Sequence, residues 1–231
     1  MTDSLKEFVF SHPGLIGCAL RVYNRLHLGN RLSVCRGKLI CRLALLSNVR
    51  IKSEGKNNRI VIGDYSQLRD CTFYFHGDDN VVEIGSRCDL QSADFYLEDK
   101  GNCIRLGDHC SVSGKTQFAA IEGTHIEIGK DCMFSSDINV RTGDAHSILD
   151  GTGKRINPSA DLSIGDHCWI GMRAIILKGV RIGRDSIVSA AAVVSRTPGE
   201  DGVILAGVPA RVVRRNISWL RERIEEFADQ D

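Results

Sequence analysis

The run Ile164-Gly165-Asp166-His167-Cys168-Trp169-Ile170-Gly171-Met172-Arg173-Ala174-Ile175-Ile176-Leu177-Lys178-Gly179-Val180-Arg181-Ile182-Gly183-Arg184-Asp185-Ser186-Ile187-Val188 decides the fold. An aliphatic residue returns at every sixth position, at Ile164, Ile170, Ile176, Ile182 and Val188. A compact residue follows each by four places, at Cys168, Ala174, Val180, Ser186 and Ala192. A helix cannot keep this spacing on one face, because six residues advance it by about 600° and successive members point in different directions. Short strands wound round a triangular prism can. Three six-residue sides make a coil of about 18 residues, with each aliphatic side chain pointing inward and glycine letting the backbone turn the corner.

Upstream the same pattern is stretched. Ile62-Gly63, Ile84-Gly85, Leu106-Gly107 and Ile128-Gly129 lie 22 residues apart. Six and twelve places after each comes an apolar or aromatic residue: Leu68 and Tyr74, Leu90 and Tyr96, Val112 and Phe118, Phe134 and Val140. These are expected inside the coil, as are Ser66, Cys88, Cys110 and Cys132. The extra residues are expected as corner loops at Gly77-Asp78-Asp79-Asn80, Asp99-Lys100-Gly101-Asn102 and Glu122-Gly123-Thr124-His125, where Gly and Asn suit left-handed turn positions. The ends of such a rod are open strand edges and need covering. Residues 14–28 (Leu15, Ile16, Ala19, Tyr23, Leu26) and 216–229 (Ile217, Leu220, Ile224, Phe227) read as helices able to do this. The expectation is an all-β solenoid, a parallel β-helix with short N- and C-terminal helical segments. Its parts are a basic, partly helical cap at 1–50, the coil at 51–199 and a tail with a helix at 200–231.

With 231 residues, 42% hydrophobic and 26% charged, the chain has the composition of one globular domain. The net charge of +1 is unevenly spread: residues 1–50 carry +6 and the remainder −5. A near-neutral chain lacks the uncompensated basic stripe that releases phosphate counterions, so no nucleic-acid partner is expected. No stretch reaches the ~20 apolar residues of a spanning helix, and no basic-then-apolar leader opens the chain. A soluble, cytoplasmic protein is expected, with its basic end suited to an acidic polymer or to peripheral contact with the inner face of a membrane. Nine cysteines without a C-x-x-C pair fit neither a disulfide framework nor a zinc knuckle.

The rhythm stops between Val140 and Ala160, and an interruption of this length in a regular coil is usually functional. The segment 141–158 holds one histidine, His146, between Asp144 and Asp150. Three stretches, Asp144-Ala145-His146-Ser147-Ile148, then Ile164 to Gly171, then Ala206-Gly207-Val208-Pro209-Ala210-Arg211, resemble the hexapeptide-repeat acyltransferases, in particular the branch that O-acetylates sugars and polysaccharides. The resemblance implies a left-handed β-helix, a homotrimer with active sites between subunits, and acetyl-CoA as co-substrate with no metal. Carried over position by position, it implies His146 as catalytic base and Trp169 as the aromatic wall of the acceptor pocket. It further implies Gly171, Ala190 and Ala192 as backbone contacts to the coenzyme. Ser195, Arg196, Arg211 and Arg214, with Lys178, would lie around its phosphates. The chemistry is coherent: a sugar hydroxyl needs a base to attack a thioester, and a histidine suits that role near neutral pH. Either Asp144 or Asp150 is a candidate to orient the imidazole.

Where small-sugar members carry an asparagine facing the acceptor, the matching phase here holds Lys115, with Gln117 nearby, which points toward an acidic sugar such as a uronic or sialic acid unit in a surface polysaccharide. Competing readings are a small-molecule (antibiotic or free-sugar) acetyltransferase of the same fold, a zinc hydratase like the γ-class carbonic anhydrases, and a non-catalytic scaffold. The zinc reading suffers because His125, His146 and His167 are evenly spaced, with no close pair of ligands.

Overall fold

A computed structural model of the protein describes residues 11–33 and 37–225. The chain winds into a left-handed parallel β-helix with three flat faces, two of seven strands and one of nine. The face that carries the interruption, called here the loop face, is built from Arg50–Ser53, Thr72–His76, Ala93–Glu98, Thr116–Ile121, Ile138–Arg141, Ile175–Ile176 and Val193–Val194. A second face runs from Lys38–Cys41 to Arg181–Ile182. Its outward residues form a ladder of alternating charge in which Arg59 and Arg105 both pair with Glu83, at 3.0 and 2.7 Å, and Arg105 reaches Glu127 at 2.8 Å. The third face runs from Leu45–Ser47 through Met133–Phe134 and Trp169–Ile170 to a closing antiparallel pair, Ile204–Gly207 and Ala210–Arg214.

The inward aliphatic column of the six-residue reading is buried throughout, from Ile62 and Leu68 to Ile182 and Val188. Cys88, Cys110, Cys132 and Cys168 stack in it as expected. Each thiol donates to a glycine carbonyl one coil on, Gly107, Gly129, Gly165 and Gly183 respectively, at 3.1–3.3 Å. Two aromatic positions differ from the reading. Tyr74 and Tyr96 point outward, and the core is filled instead by Phe73 and Phe75, then Phe95 and Leu97. Phe95 stacks on Phe73 at 4.8 Å and on Phe118 at 5.4 Å. A phenol buried here would leave its hydroxyl unpaired. Outside, Tyr96 donates to Glu98 at 2.8 Å and Tyr74 to Glu54 at 3.1 Å. The corner asparagines differ too: Asn58, Asn80 and Asn102 are buried and bond one another along the coil axis, whereas the left-handed backbone falls on Asp79, Asp99, Gly101, Glu122 and Gly123.

The N-terminal cover is the helix α1, Pro13–Leu26, opened by Pro13 in its first turn. Gly17 lets it lie close, since a Cβ there would stand 3.2 Å from Leu43. Asn24 bonds the exposed edge of the first coil through Leu46 N and Ala44 O. The coil begins at Lys38, inside the segment read as the cap, and continues past residue 199 into the closing pair.

The helix expected over 216–229 is not formed in the described part, 216–225, which is irregular, and Phe227 lies outside the described residues. The reason is anchoring. Trp219 stacks on His167 with centroids 4.4 Å apart and donates to its carbonyl, and Arg221 bridges Asp131, Ser111 and the His109 carbonyl. These partners lie along successive coils and hold the segment extended as a strap. Leu220 and Ile224 are left exposed.

Candidate active site

The interruption leaves the loop face after Ile138–Arg141 and returns at Leu162–Ile164. Its base is fixed by the buried polar ladder. Asn102 accepts from Thr124 N, Thr124 Oγ1 meets Thr142 Oγ1 at 2.6 Å, and Thr142 is fully buried one residue into the loop. Gly143 follows under close constraint, as a Cβ there would meet Ser159 Oγ at 2.3 Å and Ile121 Cδ1 at 2.5 Å. From there the chain forms a hairpin closed by an antiparallel bridge between Leu149 and Arg155, and Arg155 fastens it to Glu122 at 2.6 Å.

The knot of the loop is Asn157, almost wholly buried. Its amide donates to Asp144 Oδ2 and to the His146 carbonyl, both at 2.8 Å, and its Oδ1 accepts from Ile148 N at 2.7 Å. Asp144 also receives Lys178 Nζ. The lysine ammonium, and after it the Asn157 amide, hold the Asp144 carboxyl below its ordinary value. Asp150 shapes the hairpin turn, accepting from Thr152 Oγ1 and from the amides of Thr152 and Lys154, and these bonds likewise lower its carboxyl. Both carboxylates are therefore committed to the loop backbone and its clamp. The expectation that one of them orients the imidazole is corrected: the ring of His146 is exposed and takes no hydrogen bond among the described residues. Lys178, read as a phosphate ligand, sits in the loop clamp, where it also donates to Asn157 O at 3.3 Å.

Beneath the loop the outward residues of the loop face form a polar floor. Gln117 Oε1 accepts from Asn139 and Arg141, both at 3.3 Å, and Arg141 Nε donates to Asn139 Oδ1 at 2.7 Å. A pocket of about 230 Å³ lies over Tyr96, Glu98, Gln117 and Arg141 and reaches Gly143 and Ala145 of the loop. A second, of about 330 Å³, is lined by Lys115, Gln117 and Asn139 with Asp94 and Asp137. Gln117 thus lies beside the loop, while Lys115 stands farther back on the same face, in the pocket with Asp94 and Asp137. Asn139, Arg141, Tyr96 and Asn157 were missed by sequence reading. A signal was present, because Asn139 and Arg141 alternate with the buried Ile138 and Val140 and so had to face outward.

Trp169 stands elsewhere. It lies on the third face between Met133 and Ile187, partly exposed and 6.1 Å from Trp219. One chain therefore does not pair it with His146. Of the coenzyme candidates, Gly171 and Ala192 are buried with both backbone groups used inside the coil. Gly171 N donates to Val188 O and Ala192 N to Ser189 O, while their carbonyls accept from Ala174 and Ile175. In this chain neither N–H of the two is free to meet a ligand. Ala190, Ser195, Arg196, Arg211 and Arg214 are exposed at the C-terminal end of the rod, and the three arginines make no ion pair among the described residues. Among those residues no three His, Cys, Asp or Glu side chains are placed to hold a metal ion. His167 instead pairs with Asp185 at 2.9 Å.

Residues 161–196 match the family model of the bacterial transferase hexapeptide (six repeats). Those residues carry the repeat that this family model describes. Among solved structures the chain is similar to the polySia-specific acetyltransferase NeuO, at 28% identity and a TM-score of 0.77, with 83% of this chain and 88% of that one covered. It is also similar to the polysialic acid O-acetyltransferase OatWY, at 26% identity and a TM-score of 0.80, covering 84% and 92%. A curated relative, the polysialic acid O-acetyltransferase of Escherichia coli O1:K1 / APEC, is 30% identical over 100 residues, which is 43% of this chain and 32% of the relative. The matched stretch thus spans about a third of that protein's length.

Proposed function

We propose that the protein is an acetyl-CoA-dependent O-acetyltransferase acting on a hydroxyl of an acidic surface polysaccharide. The observation that carries this reading is a polar floor of Gln117, Asn139 and Arg141 under the base of the histidine loop, with Lys115 farther along the same face. Arg141 and Lys115 supply cationic groups for a sugar carboxylate, and the amides of Asn139 and Gln117 suit its hydroxyls. The similarity to NeuO and OatWY supports a polymeric, acidic acceptor.

In this mechanism His146 takes the acceptor hydroxyl proton as the oxygen attacks the thioester carbon. The tetrahedral intermediate collapses, the C–S bond breaks, and the imidazolium returns the proton to the leaving thiolate. A thioester is already activated, so no covalent enzyme intermediate is required. Arg196, Arg211 and Arg214, exposed at the end of the rod and without an ion pair among the described residues, suit the coenzyme phosphates. Trp169, on a different face from the loop, would reach the acceptor from a neighbouring subunit of a homotrimer.

The test is acetyl transfer from labelled acetyl-CoA to sialic-acid, uronic-acid and neutral polysaccharides. The reading expects acidic acceptors to be preferred, His146→Ala to cost about 10²–10⁴-fold, and Lys115→Ala with Arg141→Ala to erase the preference. Equal use of neutral and acidic acceptors by the wild type would overturn the acceptor class. Full activity of His146→Ala would overturn the mechanism.

A further inference from the structure

The helix α1 is turned the wrong way for a simple cover. It meets the first coil through Gly17, Leu20 and Asn24, and its stronger apolar stripe points to solvent. Leu15 is 64% exposed, Val22 53% and Leu26 72%, and Leu28 just beyond is completely exposed. At about 100° per residue Leu15, Val22 and Leu26 fall within about 40° of one another, opposite Asn24. Arg25 and Arg21 both lie on one side of the stripe, about 60° and 100° round from its nearest member. They also line, with Val22, Leu32 and Leu39, an open cleft of about 430 Å³ between helix and coil. The sequence here is basic: residues 11–50 contain seven Lys and Arg and not one Asp or Glu, although Arg42 pairs with Asp64 of the next coil.

We propose that α1 is a membrane-surface anchor that seats its Leu15/Val22/Leu26 stripe among the headgroups of an anionic lipid bilayer, with Arg21 and Arg25 on lipid phosphates. An apolar stripe with arginines along one border is a pattern of an interfacial helix, which gains from shallow burial of its side chains and from attraction to anionic lipid together. The alternatives fit less well. A soluble acidic polysaccharide would use the arginines and leave four large aliphatic side chains in water. A second copy of α1 packed stripe to stripe would bring the Arg21 and Arg25 of both copies close together. No helix among the described residues is long and apolar enough to cross a membrane, so the contact is with the surface. The strand Ile138–Arg141, which feeds the histidine loop, lies four coils beyond the first, about 20 Å along the rod. Anchored by α1, the rod holds the loop above the bilayer rather than against it. The inference does not depend on the acyltransfer reading.

The experiment is co-sedimentation of the full chain with two kinds of vesicle, one of phosphatidylcholine alone and one of equal parts phosphatidylcholine and phosphatidylglycerol. Binding to the anionic vesicles and little to the neutral ones is expected. Arg21→Gln/Arg25→Gln should weaken it about 25-fold, roughly fivefold for each charge removed at the surface. Val22→Asn/Leu26→Asn, which leaves every charge in place, should weaken it at least tenfold. Because both positions are exposed, the thermal midpoint of this variant should stay within a degree or two of wild type. Absence of vesicle binding by the wild type would overturn the proposal. So would equal binding by wild type and Val22→Asn/Leu26→Asn, which would mark simple polyanion adsorption. A change of oligomeric state in that variant by sedimentation velocity, without loss of lipid binding, would place the stripe between copies and also refute it.

Discussion

Replacing Asn157 by alanine removes the loop's own side chain that ties its two limbs together. Three bonds of 2.7–2.8 Å are lost, to Asp144 Oδ2, the His146 carbonyl and Ile148 N. At about 0.5–1.5 kcal/mol net for each, with the one to the carboxylate toward the upper end, the closed loop loses about 2–4 kcal/mol. Water recovers part of this for groups near the surface. At about 1.4 kcal/mol per tenfold change, the open form gains by a factor of roughly 30 to several hundred. Under the proposed mechanism the rate has a floor, because misplacing the base cannot cost more than deleting it. Asn157→Ala should therefore lower the acetyl-transfer rate by about 10–10³-fold and never below His146→Ala. The loop stands outside the coil, so the melting transition should move little, while tryptic cleavage after Lys154 and Arg155 should become fast. A variant with wild-type rate and wild-type resistance to trypsin would refute the idea that Asn157 positions the histidine.

Four further outcomes are expected. The Asp144 carboxyl is held below its ordinary 3.8 by Lys178 and Asn157. A depressed folded value means the clamp is intact above about pH 4 and fails only as the pH falls through that lower value. Exchange of the Ile148 amide, corrected for intrinsic rate, should thus be level from about pH 8 to 5 and rise only below about pH 4. Gly171→Ala would place a Cβ 2.7 Å from Ala190 N and Val188 O, backbone of the next coil that cannot yield. A loss of about 1–3 kcal/mol and a Tm several degrees lower should follow in a calorimeter. Burial pushes the Cys71 thiol up to about 12, and Cys18 is exposed. Peptide mapping after brief alkylation of native protein should find Cys18 modified and Cys71, Cys88, Cys110 and Cys132 protected until denaturant is added. Finally, Arg221→Ala should free the C-terminal strap from Asp131 and Ser111 and shift Trp219 emission to the red.

The coil was readable because its determinant is local and repeated. Every sixth side chain must be apolar and every corner must turn, and a pattern repeated this often survives individual exceptions. What escaped were features set by partners far along the chain. Tyr74 and Tyr96 hold the expected phase, yet a phenylalanine stands one place before each. In the structure Phe73 and Phe95 take the core while the phenol groups reach Glu54 and Glu98 outside. The number of residues between Phe95 and Phe118 exceeds that between Phe73 and Phe95 by one, so a fixed 22-residue ruler drifts out of register there. The C-terminal segment has a helical pattern of aliphatic residues, but Trp219 and Arg221 have better partners on coils laid down 52 and 90 residues earlier. Periodicity carries no information about such contacts.

The same limit explains the site. A histidine in a long loop was conspicuous, and the flanking carboxylates were the natural candidates to orient it by analogy with other acid–base pairs. Those carboxylates have more immediate work. In a loop that departs from a β-helix the backbone loses its ladder partners, and each buried amide and carbonyl must find another. Asp150 serves the turn, Asp144 accepts the lysine that closes the loop, and Asn157, able both to donate and to accept, serves the two limbs at once. Only an amide side chain can do the last of these, which is why Asn157 and not a carboxylate sits at the centre. The loop is thus preorganised by its own polar side chains before any substrate arrives, with the imidazole left free for a partner that approaches from outside the chain.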